Sequence, residues 1–361
     1  MRKYIVTNKM ERKVLMNNLF EEDLINSINN IPNIEKIKNK TVFISGSNGL
    51  IGKFMIDMFM YLNQKKDYKI KIIANTRSIE KLKNNFKNYL TSLYFKYYIG
   101  DVNNNIDCDE HIDYIINCAS NTHPKAYATD PIGTIMTNIN GTKNILELAC
   151  KTNAKKVIYL SSVEIYGENI NNIGKFKENQ MGYINCNSLR AGYNESKRAG
   201  EALCQAYIEN KNIDISIIRL PRIYGPTLKN DDSKALSQFI KNGLNGENII
   251  LKSEGNQFFS YLYVADAVTG ILTVLLNGKC GEAYNVANEK SDIRLKDLAK
   301  IISEYSKTKV VFDLPSNIEK KGFSTANDAR LDYSKITNEL HWKPIYSIEE
   351  GIKHTLYIMK K

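Results

Sequence analysis

The chain has 361 residues, 43% of them hydrophobic and 25% charged, which suffices for one large α/β domain or two domains with a sizeable core. Its formal charge is +11, but the lysines are scattered with no arginine-rich block and no aromatic-interleaved basic run. That excludes nucleic acid as the expected partner and leaves a mild pull on anionic substrates.

No stretch reaches 18 apolar residues, and the opening MRKYIVTNKMERK lacks the apolar segment of a signal peptide. Cys108, Cys118, Cys150, Cys186, Cys204 and Cys280 form no C-x-x-C and no zinc spacing with histidine. The expectation is a cytoplasmic protein with reduced thiols, no metal and no membrane partner.

In chain order, residues 1–40 read as a helical N-terminal extension, with apolar positions at Leu15, Leu19, Leu24, Ile25 and Ile28 and an end near Pro32. The rhythm then changes. Short apolar strands are predicted at 41–45 (TVFIS), 69–74 (KIKIIA), 94–99, 113–118 (DYIINC), 156–160 (KVIYL) and 215–220 (ISIIRL), with helical stretches between them. Such alternation implies an α/β, Rossmann-like, doubly wound parallel sheet. We expect residues 41–226 to form the dinucleotide-binding domain. Residues 227–361 are expected to be mainly a smaller substrate-binding lobe, with segments near 261–290 returning to the main domain.

The first strand runs into GSNGLIG, residues 46–52, which opens a helix. Glycines at Gly46, Gly49 and Gly52 let the backbone turn tightly beside a pyrophosphate, with helix N–H groups facing the phosphates. The second strand ends in Ala74-Asn75-Thr76-Arg77, with no carboxylate to read a ribose. Arg77 is positioned for a 2′-phosphate, so the cofactor is NAD or NADP with a lean toward NADP. Asp101, after the third strand, is placed either to accept from an adenine amine or to cap a turn.

Residues 192–204, GYNESKRAGEALC, read as helix, so Tyr193 and Lys197 share one face. An ammonium beside a phenol favours the phenolate, which would make Tyr193 an acid/base near neutral pH. An exposed aromatic–lysine pair would look the same in isolation. The fifth strand, however, delivers Ser162 and Glu164 to its C-terminal end, where such sheets bind ligands.

Together GSNGLIG, SSVEIYG, YNESK and RIYGP resemble an extended short-chain dehydrogenase/reductase of the NAD-dependent epimerase/dehydratase, nucleotide-sugar-modifying group. The resemblance runs from residue 41 to about 350. It implies Tyr193 as the acid/base, Lys197 on the nicotinamide ribose lowering the tyrosine pKa, and Ser162 on the same sugar oxygen. It also implies Asn48, Leu50, Ile51, Val102, Ala119 and Ser120 around the dinucleotide. Arg222 and His123 are implied on the substrate side, and a homodimer is expected.

Reaction type is harder to read. Dehydratases of the group place Asp-Glu after the serine or threonine, whereas this chain has Val163-Glu164. UDP-glucuronate decarboxylases share the Glu and a similar tyrosine helix. They usually carry asparagine where this chain has Arg222, and arginine where it has Phe259. The first expectation is a 4-ketoreductase or 4-epimerase acting on a nucleotide sugar. A UDP-glucuronate decarboxylase-like lyase is the alternative, and a non-catalytic dinucleotide-binding sensor is the least favoured.

Overall fold

The computed structural model describes residues 9–122, 127, 129–229, 232–314 and 326–360, with side chains from residue 18 onward. Strands β1 (Thr41–Ser45), β2 (Lys71–Thr76), β3 (Phe95–Ile99), β4 (Tyr114–Asn117), β5 (Lys156–Ser162), β7 (Ile215–Leu220) and β11 (Ala283–Asn285) form one sheet. Its order is β11–β7–β5–β4–β1–β2–β3, and every neighbouring pair is parallel. Helices cover both faces, which is why these strands read as continuous apolar runs. Along β1, Val42 and Ile44 enter one core and Phe43 the other, as the two-residue period of a strand requires.

One face is covered by α4 (Pro131–Thr152) and α5 (Ala191–Lys211), and the other by α2 (Leu50–Lys66) and α7 (Val264–Asn277). Helix α3 (Ile79–Asn85) follows β2. Helix α7 is buried on every side, and its composition is apolar all round. Its one carboxylate, Asp266, accepts from the backbone N–H groups of Ile345 (2.9 Å) and Tyr346 (3.0 Å), while burial pushes its pKa up to about 7.

A second, five-stranded sheet has the order β12 (Asp292–Arg294), β10 (Phe258–Tyr263), β14 (Asp328–Leu331) and β6 (Lys175–Phe176), with β8 (Arg222–Tyr224) also paired to β10. A two-stranded piece joins β9 (Ile249–Leu251) to β13 (Val310–Phe312), and α6 (Ala235–Asn245) packs on α8 (Leu295–Ser306). Helix α9 (Ser334–Leu340) returns to the main sheet beside β11. There buried Trp342 donates from Nε1 to Thr269 Oγ1 at 2.8 Å.

The segment before the first strand is part of this body. Helix α1 (Lys9–Asn29) packs on α2, α7 and α10 (Ile348–Met359), and buries Leu24 and Ile28. Phe20 meets Phe54 edge-on at 5.7 Å. Asp23, fully buried, accepts from the Tyr263 hydroxyl at 2.5 Å and shares a 2.7 Å hydrogen bond with His354 Nδ1.

Candidate active site

The strand order reverses between β1 and β4, and the crevice at that point is where open α/β sheets take ligands. Gly46 turns the chain out of β1 with φ +63°, and a Cβ there would lie 2.9 Å from the Cys118 carbonyl oxygen. Only glycine fits both the dihedral and the space. Helix α2 starts at Gly49 with no side-chain cap and no acidic residue in its first turn, so the N–H groups around Leu50, Ile51 and Gly52 are left for an anion.

Neighbouring side chains fix this turn. Ser47 Oγ donates to Asn75 O at 2.9 Å, and Asn48 Nδ2 donates to Thr76 Oγ1 at 2.7 Å. The Ser45 hydroxyl donates to Asn117 Oδ1 and accepts from the Ala119 N–H, tying β1 to the end of β4. An uncapped helix N-terminus behind a glycine-only turn fits a dinucleotide pyrophosphate.

Arg77 is exposed at the end of β2, with Nη1 3.5 Å from Asp101 Oδ2. The other carboxylate oxygen of Asp101 accepts from the Asn103 N–H at 2.9 Å, which is turn capping. Val102 is buried below it and lines the same cleft.

At the other end, α5 turns Tyr193 and Lys197 inward and buries both. The hydroxyls of Ser162, at the end of β5, and Ser120, after β4, lie close enough to the Tyr193 phenol to favour its ionised form. Ser120 Oγ in turn donates to Asn138 Oδ1 (2.7 Å), and Asn138 Nδ2 donates to Ser196 Oγ (2.9 Å), so helix α4 steadies the tyrosine helix. Lys197 Nζ donates to Leu160 O at 2.7 Å and lies 5.0 Å from the Tyr159 ring.

One expectation is corrected here. Sharing a helix face was expected to let Lys197 pull the Tyr193 pKa below its ordinary value. Instead burial dominates and pushes Tyr193 up to about 12, against the opposing effect of the Ser162 hydroxyl. Burial likewise pulls Lys197 down to about 8. Desolvation disfavours the charged form of each group, so the two shifts have opposite signs.

Glu164, one turn beyond β5, is flanked by two guanidinium groups. Arg222 Nη2 is 3.3 Å from Oε1, and Arg190 Nη2 is 3.9 Å from Oε2. The Arg222 guanidinium carbon lies over the Phe259 ring, 3.6 Å from its centroid, and Nη1 is buried with no hydrogen-bond acceptor among the described residues. Arg190 stacks on Tyr127 at 5.0 Å, and the Tyr127 ring lies 4.9 Å from that of Tyr193. Sequence reading did not single out Arg190 or Tyr127. Arg190 occupies the N-cap position of α5, three residues before Tyr193, and that spacing was the available signal. His123, expected on the substrate side, lies outside the described residues.

One continuous cleft of about 1120 Å³ runs from the glycine turn past Tyr193 to Arg222, Phe259 and Lys234. A pocket for one small ligand is typically about 300–1,000 Å³, so this cleft is larger than one small ligand needs. Among the described residues no cluster of three His, Cys, Asp or Glu side chains could hold a metal, and no helix is long and apolar enough to cross a membrane.

The profile of the NAD-dependent epimerase/dehydratase family matches residues 42–287. UDP-glucuronic acid decarboxylase 6 of Arabidopsis thaliana is 29% identical over 317 residues, covering 87% of each chain. Two solved structures share the fold. UDP-glucuronic acid 4-epimerase from Bacillus cereus, in complex with UDP-glucuronic acid and NAD, has a TM-score of 0.74 at 22% identity over 88% of this chain and 98% of its own. dTDP-glucose 4,6-dehydratase from Bacillus anthracis, in complex with NAD, has a TM-score of 0.73 at 21% identity over 88% and 96%. With its parallel sheet and glycine turn, the chain belongs to the NAD-dependent epimerase/dehydratase family of extended short-chain dehydrogenase/reductases, enzymes that modify nucleotide sugars.

Proposed function

We propose that this enzyme acts by hydride transfer at C4 of a nucleotide-activated sugar, either as a 4-epimerase that oxidises and re-reduces C4 or as a 4-ketoreductase that reduces a 4-keto sugar with a reduced dinucleotide. The observation that carries the reading is the convergence of the Ser162 and Ser120 hydroxyls on the Tyr193 phenol, beside buried Lys197, in a cleft that begins at an uncapped helix N-terminus. Gly46, Asn48, Gly49 and the first turn of α2 would hold the dinucleotide pyrophosphate, with Val102, Ala119 and Ser120 along its length. Bound and oxidised, the dinucleotide supplies a hydride acceptor and a positive ring that favours the phenolate.

The remaining steps belong to the chain. Ser162 orients the sugar hydroxyl toward Tyr193, and Tyr193 takes its proton. Lys197, anchored on Leu160 O, holds the ribose side and adds positive charge next to the tyrosine. The same phenol returns the proton when the ketone is reduced.

A second reading is decarboxylation of UDP-glucuronate. It is favoured by the 29% identity to a plant enzyme of that name and by Glu164 beside the catalytic tyrosine. Phe259, where those enzymes usually carry arginine, weighs against it. On the cofactor, Arg77 favours NADP, whereas Asp101, 3.5 Å away, opposes a 2′-phosphate. A homodimer and a substrate lobe formed mainly by residues 227–361 are part of the same proposal.

The test is to incubate the protein with NAD or NADPH and a panel of UDP- and dTDP-sugars and to identify the products by chromatography. The Tyr193→Phe variant is expected to lose turnover by at least about 100-fold, the scale of a lost general acid/base, while still binding dinucleotide. Undiminished turnover in that variant would sink the proposal. Release of carbon dioxide from UDP-glucuronate would decide for the second reading.

A further inference from the structure

A second hollow, of about 450 Å³, lies where α1 meets α10, and it shares no lining residue with the dinucleotide cleft. Glu22 and Asn26 are i and i+4 on α1, and Asn30 comes just past its end. Glu350 and His354 are i and i+4 on α10. Two helices thus present polar faces to one space, with the Tyr346 ring in its wall.

The lining is one-sided in charge. The chain has 50 lysines and arginines against 39 aspartates and glutamates, yet this hollow is lined by two carboxylates and by no lysine or arginine. Lys290 acts on Glu350 from outside that lining.

The hydrogen bonding is one-sided as well. Asn30 Nδ2 donates to Lys343 O at 2.7 Å, and Asn26 Nδ2 donates to the Tyr346 hydroxyl at 3.3 Å. Both amides therefore turn their nitrogen to the protein, and neither Oδ1 has a partner among the described residues. Glu350 Oε2 accepts from the Ser347 N–H and hydroxyl, each at 2.8 Å, which leaves Oε1. His354 Nδ1 faces the buried Asp23 carboxylate at 2.7 Å, so Nδ1 carries the proton and Nε2 is the acceptor of the neutral ring. What remains unspent around the hollow is a set of acceptors. An ammonium group has three donors and no acceptor.

We propose that this hollow is a binding site for a small organic cation, a diamine or polyamine whose primary ammonium groups are held by Glu22 of α1 and Glu350 of α10. The asparagine carbonyls and His354 Nε2 complete the acceptors, and the Tyr346 ring supplies an aromatic face for the charge. The volume is that of a site for one small ligand, about 300–1,000 Å³. Helix α1 supplies half of the lining, so the site exists only because the chain extends ahead of its first strand. It does not rest on the C4 chemistry proposed above.

The experiment is calorimetric titration of the NAD-saturated protein with putrescine and with spermidine at low ionic strength, where charge attraction is least screened. The net charge of +11 repels cations in general, so saturable binding reports a local site. One amine per chain is expected, with a Kd at or below about 1 mM. Tetramethylammonium, which has the charge but no N–H, should bind about 10-fold more weakly or worse. Glu22→Gln combined with Glu350→Gln should weaken the diamine by about 10-fold or more, while glutamine at 350 still serves the Ser347 cap. Putrescine should raise the thermal unfolding midpoint of the native protein and not that of the double variant.

No saturable binding of either amine up to about 10 mM overturns the proposal. So does undiminished affinity in the double variant, or tetramethylammonium binding as tightly as putrescine. Should the double variant lose NAD binding and so prove misfolded, Glu22→Lys decides. That change lies on an exposed helix position and sets an ammonium of the chain itself beside the hollow, so it should abolish diamine binding. Intact binding in Glu22→Lys overturns the assignment.

Discussion

Replacing Lys197 with methionine should make the cofactor-free protein less dependent on pH, in a direction and amount that follow from burial. The ammonium is almost completely buried, with one carbonyl partner and an aromatic face beside it. Its pKa falls from 10.5 to about 8 because burial disfavours the charge. That fall corresponds to about 3 kcal/mol of destabilisation wherever both folded and unfolded states carry the proton. Between pH 8 and 10.5 the unfolded chain binds more protons than the folded one, so stability rises with pH across that window. The penalty is complete below pH 8 and absent above 10.5.

From pH 7 to pH 9.5, below the ordinary titration of tyrosine, the native protein should gain about 2 kcal/mol relative to Lys197→Met. Loss of the Leu160 hydrogen bond shifts the variant by a constant of about 1–3 kcal/mol and so does not enter this difference. Equilibrium urea denaturation of both proteins at the two pH values measures it. Parallel pH dependence in the two proteins would refute the claim that burial, rather than pairing, sets the state of this lysine. The variant should also lose activity, because the charge that destabilises the fold is the one next to Tyr193.

Gly46→Ala puts a Cβ at φ +63° and 2.9 Å from a carbonyl oxygen, so it should cost about 1–3 kcal/mol in thermal unfolding and abolish dinucleotide binding measured by fluorescence titration. Asp23→Ala leaves the Tyr263 hydroxyl buried without an acceptor, and urea unfolding should show a loss of about 1–3 kcal/mol. Arg77→Gln should weaken NADPH by about 10-fold or more and leave NADH within twofold. Equal effects on the two cofactors would remove Arg77 from 2′-phosphate recognition.

Much of this was legible because the parallel sheet is covered on both faces. Strands such as Thr41–Ser45 must then be apolar throughout, and a glycine turn directly after one of them has few other uses. Tyr193 and Lys197 were legible as one helix face, since spacing alone fixes that. What they do to each other was not. The i,i+4 rule gives proximity, but the sign of each shift came from desolvation, which depends on β4, β5 and α4 closing over the pair. Tyr127 and Arg190 were missed for the same reason: nothing local marks a ring or a guanidinium that acquires its role from Tyr193 and Glu164. The asparagine–serine relay through Asn138 joins residues 120 and 196, a distance that no short motif spans.

The helix ahead of the first strand shows how far such long-range closure reaches. Residues i and i+2 of a strand share a face, so Phe259, Tyr261 and Tyr263 form one row along β10. The first carries the Arg222 guanidinium, the second lines the cleft, and the third gives its hydroxyl to Asp23 of α1. Asp23 also holds His354 of α10, and the packing of Phe20 on Phe54 ties the same helix to the one that opens the dinucleotide site. A segment that reads as a helical extension therefore braces both the strand beneath the Arg222 end of the cleft and the helix at the phosphate turn. Buried polar anchors of this kind are restrictive because an unpaired partner is costly in low dielectric, and that cost fixes β10 relative to α2 more tightly than apolar contact alone.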